Sequence, residues 1–230
     1  MELKVAVVSG GNRGLGLAIV RQLAAAGYSV VLGSRDLTSG NLEAAKLEAE
    51  GFTVRAAQLD ITDSASVKAL FDSLQRVDVL VNCAGIYLEG SATFSEIDEA
   101  TLTASIDANA VGAWRMCKAA SALMIDQKFG RIVNVSTGWA SLNEMQGNAA
   151  AYRISKAALN AVTRVVADEL ASKGDIKVNA VCPGWVRTRM GGPDGQLSPE
   201  ESARDVLWAA FFDAGGPNGR FFRQRESMPW

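Results

Sequence analysis

The feature that most limits how this chain can fold is a repeated switch between two periodicities. Short apolar, β-branched runs occupy Leu3–Val8, Tyr28–Gly33, Phe52–Ala57, Val77–Val81, Arg131–Val135 and Ile176–Val181. Between them lie stretches with helical spacing: Leu17–Ala24, Asn41–Glu50, Asp63–Gln75, Glu96–Phe129, the alanine-rich run from Ala151 to Lys173, and Pro199–Asp213. Asp63 and Ser198 are suited to cap their helices, and Pro199 to open the last one. The long stretch from Glu96 reads as two helices, or one with a break near Asn109. Strands that alternate with helices this regularly need crossover connections. They therefore predict a doubly wound parallel sheet with helices on both faces, a three-layer α/β/α fold.

At 230 residues, 48% of them apolar, the chain suits a single domain with one sizeable core. A net charge of -2 offers no footprint for nucleic acid or an anionic membrane, and no apolar run is long enough to span a bilayer. Met1-Glu2-Leu3-Lys4 leads directly into the first strand, without the pattern of a signal peptide. Cys83, Cys117 and Cys182 are odd in number and widely spaced, which suits free thiols in a cytoplasmic protein and gives no zinc pattern. Histidine is absent. Any acid/base must then be Tyr, Lys, Asp, Glu or Cys, and a Ser-His-Asp site is excluded.

Gly10, Gly14 and Gly16 fall between the first strand and first helix. Glycines there allow a tight turn and bring backbone N–H groups of the helix N-terminus to an anion. The spacing departs from the common dinucleotide fingerprint, yet the place, directly after strand one, favours nucleotide binding in a Rossmann-type sheet. A free ribose hydroxyl is usually met by an acid at the end of strand two, and a 2′-phosphate by arginine. Here the strand ends in Gly33-Ser34-Arg35-Asp36, with Arg13 in the glycine turn. Two guanidiniums converging on one phosphate favour NADP(H) over NAD(H), although Asp36 could pair with Arg35.

Tyr152 and Lys156 lie one helical turn apart on one face. A cation beside a phenol lowers its pKa and makes it able to move protons near neutral pH. A half-buried Tyr with a snorkelling Lys would show the same spacing.

The ordered set Ser9-Gly10-x-x-x-Gly14-x-Gly16, Asn82-x-Ala84-Gly85, Asn109, Ser136, Tyr152-x-x-x-Lys156 and Pro183-Gly184-x-x-x-Thr188 resembles the short-chain dehydrogenase/reductase family from Lys4 to about Thr188. Gly11-Asn12-Arg13, the Gly216–Arg223 tail and the terminal Pro229-Trp230 look like its carbonyl-reductase branch. The resemblance implies that Tyr152 is the proton donor and that Lys156 tunes it and holds the nicotinamide ribose. It implies that Ser136 polarises the substrate oxygen and that Asn109 positions a water leading to Lys156. It places cofactor contacts at Gly10, Asn12, Arg13, Gly14, Leu15, Gly16, Ser34, Arg35, Asp60, Ile61, Asn82, Ala84, Gly85, Pro183, Gly184, Val186 and Thr188. Cys83 stands where the family usually has a second Asn.

On this reading residues 1–135 form the dinucleotide-binding half and 136–230 the catalytic and substrate half of one domain. The expected reaction is NADPH-dependent reduction of a ketone or aldehyde. An NAD(P)-dependent alcohol dehydrogenase working in oxidation is the alternative, and a dinucleotide-binding protein without turnover is a third reading. Trp139, Met145, Trp185 and Met190, with Ser136, would wall an apolar substrate pocket, although the Gly138–Gly147 segment could equally pack on the helix or on a partner subunit. The irregular stretch from Arg187 to Pro199 has the length of a lid, and its Arg187 and Arg189 read as solvated charges. Monomeric members of the branch carry a longer segment before the catalytic Tyr, so the short one here favours a homodimer or homotetramer.

Overall fold

The computed structural model describes residues 3–90 and 92–230, so Met1 and Glu2, read above as free of a leader, lie outside it. Strands β1 (Val5–Ser9), β2 (Ser29–Ser34), β3 (Val54–Gln58), β4 (Val79–Asn82), β5 (Phe129–Val135) and β6 (Asp175–Cys182) join a hairpin, β7 (Phe221–Arg223) and β8 (Glu226–Met228). They form one sheet in the order β3-β2-β1-β4-β5-β6-β7-β8, parallel except for the last pair.

Period-2 alternation sends successive strand residues to opposite faces. Ala6, Val8, Val30, Leu32, Val79, Val81, Val133 and Val135 pack into one core with Ile19, Leu23 and Leu47 of α1 (Gly14–Ala25) and α2 (Leu37–Ala49), and with Val206 and Leu207 of α7 (Pro199–Trp208). Val7, Val31, Leu80, Ile132, Ile176 and Val178 face the other way. They meet Leu70 of α3 (Ser64–Asp72), Met116 and Met124 of α5 (Gly112–Asp126) and Leu170 of α6 (Ala150–Leu170). Both faces are covered, so the strands read as nearly continuous apolar runs. The doubly wound α/β/α expectation holds.

Several element ends differ from the sequence reading. Helix α2 begins at Leu37, not Asn41, because the Asp36 carboxylate caps it, accepting from Thr38 N at 3.0 Å and Ser39 N at 3.3 Å. Asp36 is thus a helix cap and not the partner of Arg35. Helix α3 stops at Asp72, capped as expected by Asp63, and α7 at Trp208, where a 3₁₀ turn follows. Helix α6 begins at Ala150 and ends at Leu170. The break near Asn109 is real: α4 (Glu99–Ile106) passes into α5 through a π-helical turn, Asp107–Val111. The β7–β8 hairpin had no sequence signal. Its turn needs positive φ at Gln224 (52°) and Arg225 (67°), a conformation usually signalled by Asn-Gly.

Candidate active site

Strand order reverses direction between β1 and β4, and ligands of such sheets bind beyond the strand C-termini at that point. Ser9 and Asn82 end these strands side by side. The Ser9 hydroxyl accepts from the backbone N–H groups of Cys83 and Ala84, both at 3.1 Å, which holds the β4 loop against the glycine turn. Gly10 has a φ of 69°, and a side chain at Gly16 would lie 2.1 Å from the Gly10 carbonyl, so both positions demand glycine.

The turn fits an anionic ligand. No acidic residue lies in the first turn of α1, and its N-cap residue, Arg13, makes no side-chain cap, so no side chain of the cap competes with an anion for the first N–H groups. Burial lowers the Arg13 pKa, and so do the positive charges of Arg189 and Arg35 beside it. The glycine turn, the end of β2 and the loop after β6 thus each contribute a guanidinium to one region of positive charge. From sequence Arg189 reads as a solvated charge. What brings it here is Thr188, whose methyl group would lie 3.2 Å from a side chain placed on Gly14.

That loop is internally bonded. Val186 is buried and bridges to Leu197, Arg187 donates to the Gly195 and Gln196 carbonyls at 3.0 Å, and Trp185 Nε1 donates to Gly191 O at 2.7 Å. Arg187 is thus a loop brace.

Other residues expected at the cofactor also have partners within the fold. Ser34 is buried and donates to Asp36 O at 2.8 Å. Asn82 points inward, donating to Asn134 Oδ1 at 2.8 Å, and Asn134 donates to Thr163 at 2.9 Å, a buried polar chain linking β4, β5 and α6. Ile61 packs beneath Gly112 of α5. Asn12 donates to Ser39 at 3.1 Å, and Leu15 packs against the core. Asp60 accepts from Thr62 N and its hydroxyl; burial pushes its carboxyl up, but these bonds and the charges of Arg35 and Arg115 hold it below the ordinary value. Ala84 and Gly85 present backbone to the crevice; Pro183 and Gly184 open the loop after β6, where a side chain on Gly184 would meet Leu197 at 2.7 Å.

Three of the catalytic candidates, Tyr152, Lys156 and Asn109, lie close together. Lys156 Nζ is buried, donates to Val135 O at 2.8 Å, and lies 6.0 Å from the Tyr152 ring centroid. A side chain on Gly85 would meet Asn109 Oδ1 at 2.9 Å and Lys156 Nζ at 3.4 Å, so these three share one small space. Asn109 holds Ile86 at both ends, accepting from its N–H at 2.8 Å and donating to its carbonyl at 2.9 Å. It also donates to Ser155 at 2.9 Å. The π-turn, a device common at functional sites, aims its amide there.

Ser136 is buried at the end of β5 and donates to Asn160 Oδ1 at 2.7 Å, while Asn160 Nδ2 is buried without a partner. Rotating that amide by half a turn would place its donor toward Ser136 and free the Ser136 proton for a substrate oxygen. Asn160, a turn beyond Lys156 on α6, was not singled out from sequence.

The electrostatics differ from the simple expectation. Burial pushes the Lys156 ammonium down to about 8. Burial also pushes the Tyr152 phenol up, reinforced by Cys182, Cys83, Glu89 and Tyr87. The expected lowering of Tyr152 by Lys156 is overridden, because a dry setting disfavours the phenolate more than a cation behind the ring favours it. A phenol that keeps its proton is suited to the role of acid.

Tyr152 sits in an aromatic wall. Tyr87 lies 5.2 Å and Trp139 6.3 Å from its ring, and Arg153 stacks on Trp139 at 4.8 Å. Tyr87 was missed from sequence; it stands two residues past Gly85, with no motif to mark it. Trp139 packs edge-on against Tyr152. Trp185 and Met190 stand exposed on the loop after β6, and Met145 is half-buried in the segment before α6.

The model of the family described as short chain dehydrogenase matches residues 4–197, and the chain belongs to that family. Human carbonyl reductase (NADPH) 1 is 34% identical over 277 aligned residues, covering 99% of each chain. That span exceeds the 230 residues here, so the relative carries segments with no counterpart in this chain. Among solved structures, NADPH-bound carbonyl reductase from chicken fatty liver has a TM-score of 0.89 at 25% identity, covering 100% of each chain. Salutaridine reductase from Papaver somniferum has a TM-score of 0.83 at 29% identity, covering 96% of this chain and 99% of that one.

Proposed function

We propose that this protein reduces a ketone or aldehyde to an alcohol with NADPH. The observation that carries the reading is Lys156 Nζ buried beside Asn109 and behind the Tyr152 ring, bonded to the Val135 carbonyl that precedes Ser136, with no side chain capping the N-terminus of α1. NADPH supplies the hydride. Arg13, Arg35 and Arg189 hold its phosphates, the 2′-phosphate above all, and the backbone at Gly10–Gly16, Ala84–Gly85 and Pro183–Thr188 lines its path. The half of the chain to about residue 135 supplies most of these contacts, and residues 136–230 supply the chemistry.

Lys156 holds the nicotinamide ribose. Ser136 donates to the substrate carbonyl oxygen, and Tyr152 gives that oxygen its proton as negative charge develops. Asn109 keeps the β4 loop and Lys156 in register. Tyr87, Trp139 and Trp185 shape an apolar mouth suited to uncharged carbonyl compounds.

NADPH consumption with a panel of aldehydes and ketones tests the proposal; turnover is expected for apolar members, and cofactor binding without turnover on any of them would overturn it. We further propose self-association to a homodimer or homotetramer, supported by exposed Trp114, Ile154 and Val165 on α5 and α6, and a cytoplasmic setting, supported by three free thiols. Sedimentation checks the first, localisation of a tagged chain the second.

A further inference from the structure

The start of α6 is strained. Asn148 and Ala149, which lead into the helix, both lie in the left-handed region, at φ 65° and 45°, although neither is glycine. Ala149 has no side chain able to cap the helix. Backbone in this state persists only when its surroundings over-determine it. Arg153 supplies one hold, donating from Nη2 to Asn148 Oδ1 at 2.9 Å and from Nε to Asn148 O at 3.0 Å.

The second hold comes from across the site. Glu89, in the loop after β4, accepts the Tyr152 backbone N–H on Oε1 at 2.6 Å. It is 9% exposed, and its other oxygen is buried without a partner. Among the described residues no ion pair neutralises it. A buried carboxyl group with one oxygen unpartnered is costly to keep. Its own segment is pinned on both sides: Asn109 clasps Ile86, and the Tyr87 hydroxyl donates to Gly90 O. Tyr87, two residues before Glu89, lies against the Tyr152 ring.

We propose that Glu89 is a positioning residue for Tyr152: its carboxylate caps the first turn of α6 from the β4 loop, and so sets both the place of the phenol and the charge facing it. The inference rests on Tyr152 being the proton donor. The groups facing the phenol are Cys83 beyond β4, Cys182 on β6, Tyr87 and Glu89 in the β4 loop, and Lys156 on α6. Glu89 is the carboxylate among them. Its anion favours the protonated phenol, the form a donor needs.

Glu89→Gln keeps an acceptor oxygen without the charge; Glu89→Ala keeps neither. Glu89→Ala is expected to lower kcat by about tenfold to a hundredfold, with the Kd for NADPH, read by fluorescence, nearly unchanged. Glu89→Gln is expected to recover most of kcat. The tyrosinate absorbance of Tyr152, isolated by difference against Tyr152→Phe, is expected to appear at lower pH in both variants. Wild-type kcat in Glu89→Ala, an equal loss of NADPH affinity, or no recovery in Glu89→Gln would overturn the proposal. If Glu89→Ala does not fold, an unmoved Tyr152 titration in Glu89→Gln overturns it alone. Full turnover in Tyr152→Phe would instead sink the proton-donor reading, a separate outcome.

Discussion

The two ends of the site are built from opposite materials. At the end proposed to hold the cofactor phosphates, Arg13, Arg35 and Arg189 are exposed, mutually repelling, and borne by a turn, a strand end and a loop. At the catalytic end Lys156, Asn109, Ser136 and Asn160 are buried and bonded to one another or to backbone. The first arrangement attracts by field, so it is additive, screened by salt and tolerant of small displacements. The second works by geometry in a dry space, where each group is worth more and each loss leaves a neighbour unsatisfied. Affinity and specificity for the cofactor should therefore be tunable at one end with little harm, while changes at the other should act on turnover.

The sharpest break is expected from Tyr152→Phe, which removes the proton and leaves the ring in its aromatic wall. It should lower kcat by about 10²–10⁴-fold, with NADPH binding by calorimetry retained. Lys156 tests whether the buried end is electrostatic as well as steric. Its folded pKa is depressed to about 8, so the ammonium is present below that pH and lost as pH rises through it. Both kcat and NADPH affinity should then decline above about pH 8, far below where free lysine titrates, as read from pH profiles.

At the exposed end Arg35→Asp should weaken NADPH by about tenfold or more while NADH changes little, as seen in paired Kd measurements. Asn160→Ala should lower kcat by about tenfold without moving either Kd, because Ser136 loses the partner that orients it. The smallest change is expected from Arg189→Ala, about a few-fold in NADPH Kd at low salt and less at high salt. A large effect on kcat there would erase the distinction between the two ends.

Much of this was legible in the sequence, for reasons local to the residues. The switch between strand and helix periodicity specified a doubly wound sheet, since apolar runs buried on both faces leave few other architectures. The glycine turn, Asn109, Ser136, Tyr152 and Lys156 could be picked out because motif spacing marks them. The lack of histidine limited the acid/base to a short list. What only the tertiary structure decided is which partners each side chain finds, whether near or distant along the chain. Asn82, Ser34 and Ile61 are marked by motif as ligand contacts; in the fold Asn82 and Ser34 also donate to protein partners and Ile61 fills the space under α5, while Asn82 Oδ1 is left without a partner. Thr188 seated on Gly14 brings the charge of Arg189 to bear on Arg13, and Asp36 is a cap instead of a counterion. Burial reversed the expected shift of the Tyr152 phenol, because desolvation depends on the whole surrounding shell and spacing along one helix reports only its nearest cation. Glu89 bore no signature at all; 63 positions separate it from the N–H it accepts, and only the packing of the β4 loop against α6 brings them together.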